Sequence, residues 1–136
     1  MRHKATIYVR WDDHDMFGHV NNANYLTYMQ ETRADFTWYS RIRRGVEPIF
    51  KDMVVASATV DYLIPIYEAG FELDVEIWVA KIGNASFDLV YELSSKDGLH
   101  ARGRTTQVAV DMETKKSRRL RDNERTILSE YLEESQ

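Results

Sequence analysis

Apolar and polar residues alternate from the start of the chain: over residues 6–11, Ile7 and Val9 fall on one side of the backbone and Tyr8 and Arg10 on the other. A period of two is the mark of a strand with one face against a core. After a polar stretch the period changes. From Ala23 to about Arg41, the residues Tyr25, Met29, Thr32, Phe36 and Tyr39 recur at spacings of four and three, which lays them along one stripe of a long helix. Asn21 or Asn22 is suited to cap that helix, because an asparagine side chain accepts from the unpaired amides of a first turn. Gly45 and Pro48 break the pattern, so residues 41–52 read as a connection with room for a short helical turn.

Four strands follow. Val54, Ala56, Ala58, Val60, Tyr62 and Ile64 make one face of a run that stops at Pro65, and its two alanines leave space for the helix to lie across it. Phe71, Leu73, Val75, Ile77 and Val79 alternate with Glu72, Asp74 and Glu76, giving one dry face and one wet face. Gly83 and Asn84 mark a turn, and Phe87, Leu89, Tyr91 and Leu93 form the next strand. Asp97-Gly98 is a hairpin signal joining it to a last strand over 100–111. Ile127, Leu128, Tyr131 and Leu132 have helical spacing within 123–133, which predicts a short C-terminal helix or a frayed tail. A long helix with one apolar stripe must bury it, and the antiparallel sheet is the only large apolar surface on offer. The expected class is α+β, two layers, with the helix packed on a five-stranded antiparallel sheet.

Composition adds mainly exclusions. A chain of 136 residues, 43% of them apolar, suits one domain spanning 1–136. No run approaches the ~18 apolar residues of a membrane helix, and Met1-Arg2-His3-Lys4 leads into a strand instead of an apolar signal segment. The expectation is a soluble cytoplasmic protein with no membrane partner. The absence of cysteine excludes a disulfide framework, a thiolate nucleophile and a cysteine zinc site. A net charge of -4 argues against a nucleic-acid partner.

The chemistry concentrates in the stretch between the first strand and the helix. Asp12, Asp13, His14, Asp15 and His19 crowd one loop around Gly18. Three readings compete. The aspartates can cap turns while the histidines sit at the surface. Carboxylates and imidazoles can bind a metal, although the spacing matches no zinc motif, so no metal ligands and no cofactor are assigned. The third reading is catalysis by a carboxylate beside a helix N-terminus, whose amides and dipole polarise a carbonyl while the carboxylate attacks or activates water. Gly18 lets the backbone turn tightly toward a ligand.

The run from Arg10 to Tyr25, with its Asp13-His14-Asp15-Met16-Phe17-Gly18-His19-Val20-Asn21-Asn22 centre, resembles the N-terminal signature of hotdog-fold acyl-CoA thioesterases of the 4-hydroxybenzoyl-CoA thioesterase type. Glu31-Thr32-Arg33, Val60-Asp61-Tyr62-Leu63-Ile64-Pro65 and Asp97-Gly98 continue the resemblance, which covers about residues 5–115. It implies a hotdog domain in which the sheet wraps the long helix. The family's catalytic carboxylate falls on Asp15, with Asp13 as a supporting, structural acid. Its carbonyl-polarising amide falls near Asn22. The histidine of related plant acyl-carrier-protein thioesterases matches His19, but their asparagine position is Phe17 here, so His19 is open between a catalytic and a structural role. Gly18, Asn21, Tyr25 and Ser86 are the candidate substrate-binding residues.

The implied reaction is hydrolysis of an acyl-CoA or acyl-carrier-protein thioester, in a homodimer or homotetramer with sheets joined at their edges. Arg33, Arg41, Arg43, Arg44, Lys81, Arg102, Arg104, Lys115, Lys116 and Arg118 are candidates for the coenzyme A phosphates. A non-catalytic acyl-thioester-binding hotdog protein is the alternative. A hotdog dehydratase or hydratase fits less well, because the histidine-rich motifs of those enzymes are missing.

Overall fold

In the computed structural model of the chain, residues 1–133 are described. Strands β1 (His3–Val9), β2 (Met53–Tyr62), β3 (Phe71–Ile82), β4 (Ser86–Ser95) and β5 (Gly98–Ala109) form one sheet in the order β1-β3-β4-β5-β2, with every neighbouring pair antiparallel. Helix α1 (Asn22–Ala34) runs on through a π-helical turn (Asp35–Tyr39) into the last turn, α2 (Ser40–Arg43). The short C-terminal helix is α3 (Asp122–Glu130). No described helix is long and apolar enough to cross a membrane.

Tyr25, Tyr28, Met29 and Thr32 are buried on α1. They meet the inner face of the sheet, where Leu73, Val75, Ile77 and Val79 of β3 and Phe87, Leu89, Tyr91 and Leu93 of β4 are buried. The helix packs tightly at Gly103, where a Cβ would lie 2.6 Å from both Sδ and Cε of Met29. A bare β5 position therefore seats the methionine. The C-terminal segment closes one end of the layer: Tyr131 sets its ring edge on Phe36 with centroids 4.8 Å apart, and Glu133 N–H donates to Val79 O at 2.8 Å. Arg118 anchors it by pairing with Asp52 at 2.8 Å and with the buried Glu124 at 2.9 Å.

Two sequence expectations shift by one residue. The helical stripe breaks after Phe36, since the π turn adds a residue to one turn of helix; Tyr39 is 53% exposed and Ser40 takes the buried position. In β2, a bulge between Val55 and Ser57 reverses the alternation. Val55 then shares the inner face with Ala58, Val60 and Tyr62, while Val54 pairs with Val108 on the outer face. Ile64 lies beyond the strand, where the amides of Leu63 and Ile64 both donate to His100 O at 2.8 and 3.1 Å. The two alanines also fail to receive the helix. Ala56 and Ala58 are exposed, and β2 lies at one edge of the sheet, with β1 at the other.

Candidate active site

The polar loop is a small hairpin. His14 bridges to Val20, Asp15 N–H donates to His19 O, and Gly18 N–H returns to Asp15 O at 3.1 Å. Gly18 has φ +84°, a conformation that glycine adopts without strain. Met16 and Phe17 project from the tip, 92% and 78% exposed. Val20 N–H to Ile66 O at 2.9 Å, and His14 Nε2 with Glu68 O at 2.9 Å, dock the hairpin on the segment after β2.

Asp13 clamps the base of the loop. Its buried carboxylate accepts from Tyr28 Oη at 2.7 Å, from the Arg10 amide at 3.0 Å and from the Arg10 guanidinium at 2.8 Å. Burial alone raises this carboxyl, but the hydrogen bonds from Arg10 and Tyr28 outweigh it and hold the group below the ordinary aspartate range. The Asp13 carbonyl accepts from the Asn21 amide at 2.9 Å and from Asn24 Nδ2 at 2.8 Å, which fixes the first turn of α1 to the loop.

Asp15 stands next to that turn. Its Oδ1 accepts from Phe17 N–H at 2.9 Å and its Oδ2 from Asn21 Nδ2 at 3.1 Å. The Phe17 amide bond, followed by the Asn21 bond, holds the Asp15 carboxyl below its ordinary value, so it is ionised at neutral pH. Asn21 has a double role, because its Oδ1 also accepts from Ala23 N–H at 2.9 Å and caps the helix. Asn22 begins the helix, and among the described residues its amide N–H has no acceptor. The Asn22 carbonyl accepts from Tyr62 Oη at 3.0 Å. His19 directs Nδ1 at Val20 O, 3.1 Å away; a carbonyl only accepts, so Nδ1 carries the proton and Nε2 is left to a ligand or water. Its ring lies between Phe17 and Tyr67.

An ionised carboxylate, an unused helix-terminal amide and an imidazole nitrogen thus share one loop. Asp15, Gly18, His19, Asn21 and Asn22 are brought together. Tyr25 is close by but only 3% exposed, its ring packed edge-on against Tyr62, so it supports the site from within the core. Ser86 is not part of the group. It pairs with Val108 at the far end of β5, whereas the loop adjoins the end where Tyr62 pairs with Ala101. Among the described residues, no three histidine, aspartate or glutamate side chains converge as a metal-binding group.

Residues 9–126 match the thioesterase-like superfamily. The chain belongs to that superfamily. It is 30% identical over 123 residues to the uncharacterized protein YsmA of Bacillus subtilis, covering 88% of this chain and 80% of the relative. Among solved structures, a thioesterase from Thermus thermophilus complexed with coenzyme A and Zn is 26% identical, with a TM-score of 0.78 over 94% of this chain and 92% of that one. A predicted thioesterase from Bacillus stearothermophilus superposes over 100% of both chains with a TM-score of 0.85 at 23% identity, which shows a common fold. The five-stranded sheet wrapped on the long helix is the hotdog fold of these thioesterases.

Within this thioesterase-like chain, several basic candidates for a phosphate group are engaged elsewhere. Arg118, Arg104, Arg102 and Arg43 pair with Asp52, Asp88, Glu92 and Asp35, and Arg41 donates to Glu47 O. Sequence reasoning overlooked Tyr62, which ties the end of β2 to the first turn of α1. Its place in the Val60–Pro65 run was the available signal. Glu31 and Arg33 do not pair with each other: Glu31 lines a groove with Ile7 and Arg10, while Arg33 reaches Tyr91.

Proposed function

We propose that the protein hydrolyses an acyl-CoA thioester to a free acid and coenzyme A, with Asp15 as nucleophile or general base. The observation that carries this reading is the unused Asn22 amide at the start of α1, beside a carboxylate kept ionised by Phe17 and Asn21. Oriented amides at a helix start are suited to a carbonyl oxygen that gains negative charge during attack. As nucleophile, Asp15 bonds to the thioester carbon, the C–S bond breaks with release of the thiolate, and water cleaves the resulting anhydride. As general base, Asp15 takes a proton from water, whose oxygen adds to the carbon before the same C–S bond breaks. Both routes need a charged Asp15. His19 Nε2 is free to orient the water or the thioester.

The proposed assembly is a homodimer joined at β2. That strand is one of the two sheet edges, and Val55, Tyr62, Leu63, Phe17 and Leu26 leave apolar surface exposed along it. A long uncovered edge invites pairing with a second strand, and a second copy supplies one while walling the loop. The likeness to a thioesterase holding coenzyme A supports a coenzyme A ester over other thioesters. A panel of acyl-CoAs with free-thiol detection tests the reading: thiol release above background is expected for at least one acyl class, and release from none overturns it.

A further inference from the structure

The flank of α1 that faces β2 carries a polar group without a role in the chemistry above. Asn22 and Arg33 are eleven residues apart, close to three full turns, so they share one flank with Leu26 and Met29 between them. Glu31, two residues from Arg33, points to the opposite flank, toward β1. The sheet beneath keeps the same direction. Tyr62, bonded to Asn22 O, pairs with Ala101; Val60 pairs with Gly103, under Met29; Ala58 pairs with Thr105. A row of residues therefore leads from the thioester site along α1, past Val60 and the exposed Ala58, to Thr105 and Arg33. Its length is about 16 Å along the helix axis, less the reach of the arginine side chain.

The far end of this row is polar where an alkyl chain calls for apolar neighbours. Arg33 Nη1 donates to Tyr91 Oη at 3.1 Å, and Tyr91 Oη lies 2.7 Å from Thr105 Oγ1. Tyr91 and Thr105 are 0% and 1% exposed. Arg33 is half-buried, and among the described residues it has no carboxylate partner. At the next inner position of β5, Gln107 is buried with its Nε2 donating to Phe87 O at 3.2 Å, and its Oε1 has no donor among the described residues. A half-buried guanidinium with spare N–H donors has room for a charged acceptor, and its planar fork matches a carboxylate. Short-chain burial alone requires none of these groups.

We propose that Arg33, held by the Tyr91–Thr105 pair, binds the distal end of the acyl group, and that the preferred substrates are short acyl-CoAs ending in a carboxylate. This inference rests on the thioester-hydrolase reading of the Asp15 loop.

The test compares succinyl-, glutaryl- and adipyl-CoA with butanoyl-, pentanoyl- and hexanoyl-CoA, measuring kcat and KM separately. The wild type is expected to favour at least one carboxylated ester over its length-matched neutral ester by tenfold or more in kcat/KM. Arg33→Met is expected to erase that ratio, chiefly through KM, and Arg33→Lys, which keeps the charge, to restore part of it. Glu31→Gln, on the opposite flank, keeps the wild-type ratio. Equal rates for both series in the wild type, an equal loss on both series in Arg33→Met, or the same collapse in Glu31→Gln overturns the inference. Calorimetric binding of the same esters to Asp15→Asn repeats the comparison without turnover. A protein that hydrolyses nothing yet holds a carboxylated ester tenfold tighter overturns the hydrolase reading alone; one that hydrolyses neutral esters without preference overturns the carboxylate inference alone.

Discussion

Replacing Asp13 tests whether a buried clamp holds the Asp15 loop to the helix. Its carboxylate is 1% exposed and accepts from Tyr28 Oη at 2.7 Å inside the core. A hydrogen bond to a buried charged acceptor is worth about 1.5–3 kcal/mol, and the Arg10 amide adds about 1 kcal/mol. The Arg10 guanidinium adds little, because that side chain is 61% exposed and its ion pair is screened. Asp13→Ala should therefore destabilise the fold by about 3 kcal/mol, which lowers Tm by about 10 °C in a domain of this size. Tyr28→Phe removes the same central bond, so a double-mutant cycle should show a coupling of about 1–2 kcal/mol.

The pH dependence has a definite sign. The folded Asp13 carboxyl is held below its unfolded value of about 3.9, so its contribution is fully present above that pH and fades as pH falls through the lower folded value. Urea titrations at pH 7 and pH 3 read both effects. An unchanged urea midpoint in Asp13→Ala at pH 7, or additive effects of the two substitutions, would refute the clamp. Because the same residue's carbonyl holds Asn21 and Asn24, Asp13→Ala should also cost activity at temperatures where the protein is still folded.

Further outcomes follow from other contacts. Arg118 is 14% exposed between Asp52 and Glu124, and Arg118→Met leaves two carboxylates short of a partner, with Arg121 compensating in part; thermal unfolding should show a loss of about 3 kcal/mol, and a loss below about 1 kcal/mol would contradict the packing described. Asp15 is held below its ordinary value, so kcat/KM should stay flat through the ordinary aspartate range and fall only as Asp15 takes a proton; an acid limb well above that range would show that Asp15 is not the essential base. A charge on the exposed β2 edge should break the proposed dimer, so Val55→Asp should halve the mass seen by light scattering and reduce turnover, whereas an unchanged mass would place the interface elsewhere.

Most of the architecture could be read from periodicity. Period two in β1, β3, β4 and β5 and period 3.6 in α1 survive because each element buries one continuous face. The two places where the pattern misled are insertions of one residue. The π turn after Ala34 moves burial from Tyr39 to Ser40, and the bulge before Ser57 turns Val54 outward. Neither changes composition or the turn signals around it, so periodicity alone cannot register them. The loop was legible because unusual residues stand close together in sequence: Asp15, Gly18, His19, Asn21 and Asn22 lie within eight positions. Ser86 was misplaced for the converse reason. Its distance from the loop depends on strand register, which puts it opposite Val108 at the other end of β5. Arg33 illustrates the same limit, since only the assembled sheet shows that this charge meets Tyr91 and Thr105 instead of a carboxylate.

The central claim is that an ionised Asp15 drives thioester hydrolysis, and its most direct test is thiol release by wild type and Asp15→Asn on the best acyl-CoA of the panel. The substitution keeps the size of the side chain and removes its charge at a partly exposed position. The account predicts a loss of at least a thousandfold in kcat, with Tm within about 2 °C of wild type, a stability change of about 0.5 kcal/mol. Turnover within tenfold of wild type in a folded Asp15→Asn protein would contradict it.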